Sequence, residues 1–145
     1  MRARGARAHD GRVNPTQGLH HLSVAVVEDD EGLRIALQRM MRTWGYHTLS
    51  YGSAEAALGD AVVALADCLV VDLNLPAMSG LDLVERLRAR GLDTPTVAIS
   101  AHDVAPLRQR LRQCGIEHFL AKPFRGSALV RSVDAALAGH RGAEA

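Results

Sequence analysis

An apolar run, Leu69-Val70-Val71, ends on a carboxylate at Asp72, with Asn74, Pro76 and Gly80 close behind it. An acid at the end of a buried run costs stability unless something binds it. Three other runs also give out onto polar groups. Glu28-Asp29-Asp30 follows residues 22–27, Ser100-Ala101 closes residues 95–100, and Ala121-Lys122-Pro123 closes residues 117–121. Singly these are ordinary, since solvated acids often follow strands and Lys-Pro is usually just a turn. As a set they suit one edge of a parallel sheet, where ligands bind outside the carboxyl ends of the strands. Crowded carboxylates repel: two unit charges about 4 Å apart cost roughly 4 kcal/mol at an effective dielectric of 20. Lys122 can offset one charge and a divalent cation the rest. An all-oxygen set with no nearby Cys or His pair points to Mg²⁺ rather than zinc. Magnesium commonly partners phosphate, so the chemistry read at Asp72 is that of a hard cation and a phosphoryl group.

Alternating elements must position these groups. Residues 22–27 (LSVAVV), 46–51 (YHTLSY), 67–72 (DCLVVD), 95–100 (PTVAIS) and 117–121 (EHFLA) read as strands. Between and after them come helical patterns. Residues 30–44 space Leu33, Leu37, Met40, Met41 and Trp44 on a helical face, with Gly45 as the stop. Ser53 caps a helix over 54–65, with Glu55 in its first turn. Helices are also predicted over 80–91, 104–115 and 127–139, the second of these with an ill-defined start at Pro106. Strict alternation gives a doubly wound α/β fold: a five-stranded parallel sheet, right-handed crossovers and five helices on its two faces. Continuous apolar runs such as AVV, LVV and VAI fit strands covered on both sides.

Bulk properties narrow the function classes. The chain has 145 residues, about one domain, and is long enough to bury a core. Seventeen basic and 16 acidic residues leave a net charge of +1, no footprint for nucleic acid or a membrane surface. Apolar runs are too short to span a bilayer. Two cysteines, Cys68 and Cys114, are too few for a disulfide framework and fit a reduced, cytoplasmic protein. Residues 1–21 carry arginines with no apolar stretch behind them, so no signal peptide is read. They are predicted to be a flexible basic arm, followed by one domain over 22–139 and a short tail over 140–145.

The four blocks VVEDD, VVDLNLPAMSG, ISA and FLAKPF, at their spacing, resemble the receiver domain of two-component response regulators. The resemblance runs from about Leu22 to Leu137. It implies a flavodoxin-like sheet in the order 2-1-3-4-5 and a role for each site residue. Asp72 would be the phosphoacceptor for a histidine kinase or histidine phosphotransferase. Asp29, Asp72 and the main-chain carbonyl of Asn74 would hold Mg²⁺, with Glu28 acting through water. Ser100 and Lys122 would contact phosphoryl oxygens, Phe119 would take the place of the aromatic switch residue, and Pro123 would follow a cis bond. Ala101 and His102 sit where the site could be tuned. Glu28, Ser100 and Phe119 stand where aspartate, threonine and tyrosine are commoner, and Phe119 lacks the phenol.

The wording VVEDDEGLR and GSAEAAL leans towards receivers of regulators with a helix-turn-helix output domain. None is visible, so a stand-alone receiver or a fragment is expected. It would signal to a downstream protein, with no specific DNA or membrane binding, and a phosphorylation-dependent homodimer is a candidate assembly. Two other readings stay open: a degenerate receiver acting only as an interaction module, and a haloacid-dehalogenase-type phosphatase. The second normally has an acid two positions past its aspartate, where this chain has Asn74. Bland roles are expected elsewhere. Trp44, Tyr51, Met40 and Met41 read as packing and Cys68 as a buried thiol, while Arg108, Arg110 and Arg112 read as a wet helix face or a docking surface.

Overall fold

The computed structural model describes residues 22–144. The strands are β1 (Ser23–Val27), β2 (His47–Tyr51), β3 (Cys68–Asp72), β4 (Thr96–Ser100) and β5 (His118–Ala121). The α-helices are α1 (Glu31–Thr43), α2 (Ala54–Leu58), α3 (Gly80–Ala89), α4 (Arg108–Gln113) and α5 (Gly126–Glu144), with short 3-10 segments at Ala61–Leu65 and Ala105–Leu107. All strands are parallel in the order β2-β1-β3-β4-β5. The chain leaves β1 towards one edge and β3 towards the other, so the carboxyl ends of β1 and β3 flank the point where strand order reverses.

Alternation along each strand divides the core into two layers. Val24, Val26, Val70, Val97 and Ile99 pack with Leu37 and Met41 of α1 and Leu129 and Val133 of α5. Ala25, Val27, Leu69, Val71 and Ala98 pack on the other face with Ala54, Leu83, Val84, Leu87 and Leu111 from α2, α3 and α4. The central strands β3 and β4 are buried throughout, as their unbroken apolar runs require.

Three helices differ from their sequence patterns. The 54–65 pattern breaks at Gly59-Asp60, where the Asp60 carboxylate accepts from Val62 N and from the Tyr51 hydroxyl. Those local bonds offer the backbone an alternative to continuing the helix. The 104–115 pattern opens as a 3-10 turn containing Pro106 before α4 begins at Arg108. The last helix does not stop at Gly139 but runs on through Gly142 to Glu144, since each glycine inside a helix costs only about 1 kcal/mol.

Tyr51 and Met41 are buried and Met40 is partly so. Trp44 corrects the packing expectation, being 45% exposed. It is the C-cap of α1, and Gly45, at φ 95, carries the chain away before the indole reaches the core. The expected arm over 1–21 lies outside the described residues.

Candidate functional site

Four of the five strand ends, those of β1, β3, β4 and β5, deliver polar groups to the carboxyl edge of the sheet. The Glu28 side chain, just past β1, is 1% exposed, and Asp72, the last residue of β3, is 3% exposed. Asp29 is exposed, yet carboxylate oxygens of Glu28, Asp29 and Asp72 all lie within 4.8 Å of one another. Asp30 does not join them. It is the N-cap of α1, its carboxylate accepting from Leu33 N at 3.1 Å. The EDD triplet thus splits its work between a site and a helix start.

Lys122, past the end of β5, brings the opposing charge. Its Nζ lies 2.9 Å from Asp72 Oδ2 and 3.1 Å from Glu28 Oε1. Only the first contact has hydrogen-bond alignment, so buried Glu28 Oε1 is left without a hydrogen-bond donor. Glu28 Oε2 accepts from Asp30 N at 3.1 Å. Burial pushes the Glu28 carboxyl above its ordinary range, helped by the Asp72 charge and opposed by the Asp30 amide and Lys122. Burial alone would lower the Lys122 ammonium, but its hydrogen bond to Asp72 and its close contact with the Glu28 carboxylate outweigh this and raise it. The Lys122–Pro123 peptide is cis.

The donor set fits a hard divalent cation. Three carboxylates face one ammonium, all donors are oxygen, and one buried carboxylate oxygen lacks a hydrogen-bond partner.

The turn behind Asp72 is tied to it. Asn74 N donates to Asp72 Oδ1 at 2.8 Å. Gly80 then opens α3 directly against the Asp72 main chain. A Cβ at Gly80 would stand 2.2 Å from the Asp72 carbonyl oxygen, so only glycine allows this approach. Ser79 and Asp82 form a capping box that fixes the start of the same helix.

Ser100, the last residue of β4, is 4% exposed. Its Oγ is 2.8 Å from Asn74 Oδ1 and accepts from His102 N at 3.0 Å, while Ala101 N donates to Asn74 Oδ1 at 3.3 Å. Phe119 sits on neighbouring β5, paired in register with Ala98, and is partly buried against the α2–α4 layer. Arg110 is exposed but committed to Asp82 and Glu85 of α3, whereas Arg108, Arg112 and Arg131 are exposed.

Sequence reasoning placed Glu28, Asp29, Asp72, Asn74, Ser100, Ala101, His102 and Lys122 at this edge, and the structure brings them there. It missed Arg34, whose NH1 donates to the Glu28 carbonyl at 2.8 Å. The available signal was its spacing, one helical turn after the Asp30 cap. It also missed the side-chain role of Asn74, which depends on a contact between two separate strand ends.

Residues 24–134 match the response regulator receiver domain family. The chain belongs to that family, a signalling module of two-component systems rather than a turnover enzyme. It is 34% identical over 126 residues to nodulation protein W of Bradyrhizobium diazoefficiens, covering 87% of this chain and 56% of that protein. It is 31% identical over 142 residues to response regulator protein TodT of Pseudomonas putida, covering 94% and 63%. The chain therefore spans roughly half to two thirds of the length of these relatives. Among solved structures, the non-phosphorylated HemR receiver domain from Leptospira biflexa matches with a TM-score of 0.73 and 27% identity, covering 80% of this chain and 94% of that one. Among the described residues, no helix is long and apolar enough to cross a membrane.

Proposed function

We propose that Asp72 accepts a phosphoryl group from a histidine kinase or histidine phosphotransferase. The observation that carries this is Asp72 itself: a buried carboxylate at a strand end, held by Lys122 at 2.9 Å and Asn74 N at 2.8 Å, inside a cluster of acids. An Asp72 oxygen attacks the phosphorus of a phosphohistidine. The P–N bond breaks, its electron pair leaves with the imidazole, and an acyl phosphate forms. A carboxylate is a weak nucleophile in water, and here it is fixed in place, with Lys122 set to pair with charge on the phosphoryl oxygens. Glu28, through water, Asp29, Asp72 and the Asn74 main-chain carbonyl would hold Mg²⁺. When bound, the ion supplies charge neutralisation at the phosphoryl oxygens.

Ser100 then donates to a phosphoryl oxygen, and Phe119 responds by turning inward. Output passes through protein contacts on the face of α4, β5 and α5, where Arg108, Arg112 and Arg131 are displayed. We place the protein in the cytoplasm, without specific DNA binding by this domain. Nothing at the site favours a phosphatase. The position two past Asp72 is Asn74, whose side chain accepts hydrogen bonds rather than supplying an acid. A degenerate module would lack the acceptor or the lysine, and both are in contact here.

Incubation with Mg²⁺ and a small-molecule phosphodonor tests this reading. Wild type is expected to gain one acid-labile phosphoryl group by intact mass, and to lose that gain in chelator. Asp72→Asn is expected to gain none. Labelling of that variant at the wild-type rate would overturn the assignment.

A further inference from the structure

A serine hydroxyl has one proton to give. The nearest acceptor to Ser100 Oγ is Asn74 Oδ1 at 2.8 Å, ahead of the His102 carbonyl at 3.1 Å. The acceptor atom on Asn74 is fixed as oxygen by Ala101 N–H, which also points at it. At its other end, Asn74 donates its backbone N–H to Asp72 Oδ1. One residue therefore spans the acceptor carboxylate and the hydroxyl that a phosphoryl group on it would recruit.

Ser100 is buried, so its hydroxyl needs a partner in every state. Asn74 is exposed, so water can satisfy its amide once it is released. The two groups are thus unequal: Ser100 must exchange one partner for another, and Asn74 can let go at little cost. The new partner, an anionic oxygen, makes the stronger bond.

We propose that the Asn74 side chain is a positioning residue that holds the Ser100 proton in the resting state and competes with the phosphoryl group for it. Resting and engaged arrangements then exclude one another, and residue 74 sets the balance between them. This rests on Asp72 being the phosphoacceptor.

The test is an equilibrium titration of the full chain with beryllofluoride in Mg²⁺, followed by NMR. It compares wild type, Asn74→Ala, Ser100→Ala and the double variant. Asn74→Ala is expected to bind beryllofluoride tighter by roughly two- to tenfold, the worth of one net hydrogen bond. In the Ser100→Ala background the same change is expected to shift affinity by less than about twofold, because no proton is left to compete for. Without ligand, Ser100 should occupy one χ1 rotamer in wild type and a mixture in Asn74→Ala. Unchanged or weaker binding by Asn74→Ala, or an equal gain without the serine hydroxyl, overturns the latch and leaves the phosphoacceptor standing. No saturable binding by wild type overturns both.

Discussion

The Lys122 ammonium stands between two buried acids, 2.9 Å from Asp72 Oδ2 and 3.1 Å from Glu28 Oε1. One positive charge serves two carboxylates, with Asp29 in the same cluster. The pocket is therefore under-neutralised at rest. Groups that bring positive charge to it should stabilise the fold, and groups that remove negative charge should do the same.

Asp72→Asn is the direct case. It loses the Lys122 ion pair but also removes repulsion with Glu28 and Asp29 and the cost of burying an ion. Without divalent cations we expect the variant to be more stable than wild type by about 1 kcal/mol, because burying charge commonly costs more than its pairing returns. Saturating Mg²⁺ should narrow the gap by binding native wild type preferentially. Thermal melts in both conditions check this, and equal melting points throughout would contradict crowding of the acids.

Gly80→Ala should damage the site through the backbone. The new Cβ has only 2.2 Å to the Asp72 carbonyl oxygen, so α3 or the end of β3 has to move. We expect a loss of roughly 1–3 kcal/mol, the usual range for forced overpacking. Urea denaturation measures it. Full stability in the alanine variant would mean that this close approach is not required.

Protonation of Glu28 links stability and cation binding to pH in opposite directions. Its carboxyl titrates above the ordinary 4.5, chiefly because it is buried. An acid raised in the folded state costs stability while ionised. Wild type should therefore gain stability relative to Glu28→Gln as pH falls from neutral towards about 4.5. Cation binding uses the ionised form, so Mg²⁺ affinity should weaken over that same interval. Denaturation and Mg²⁺ titrations of both proteins across it test the pair of trends. A stability difference that is flat with pH would contradict the raised carboxyl.

Phe119 tests the coupling to output. Its ring is partly buried beside the layer containing Ala98 and Leu111, one strand from Ser100. Moving Ser100 onto a phosphoryl oxygen would open space on that side. We expect the Phe119 ring resonances to shift when beryllofluoride saturates the site, with an inward ring population already present before it. An unchanged ring environment would remove Phe119 from the switch and leave Asp72 chemistry untouched.

Much of this was legible in the chain. The strand ends announce themselves because β1, β3 and β4 are buried on both faces, so each acid or hydroxyl that closes them stands out against an apolar run. Alternation then fixes a parallel sheet, and a parallel sheet puts those ends on one edge. What was not legible depends on contacts between strands or on local competition. Asp30 stands beside two site acids in sequence, and only the folded chain shows its carboxylate capping α1. Trp44 fits a helical stripe until Gly45 redirects the chain. The bond from Ser100 to Asn74 joins residues 26 apart in sequence, and no periodicity foretells it.

Where the phosphoryl group lands is the most direct question. Borohydride reduction of the phosphorylated protein converts an acyl-phosphorylated aspartate into homoserine, and peptide mass spectrometry then reads the position. Conversion is expected at Asp72 alone, absent in chelator and reduced in Lys122→Met. Conversion at Asp29, at Asp30 or at no aspartate of the phosphorylated protein would contradict Asp72 as the acceptor.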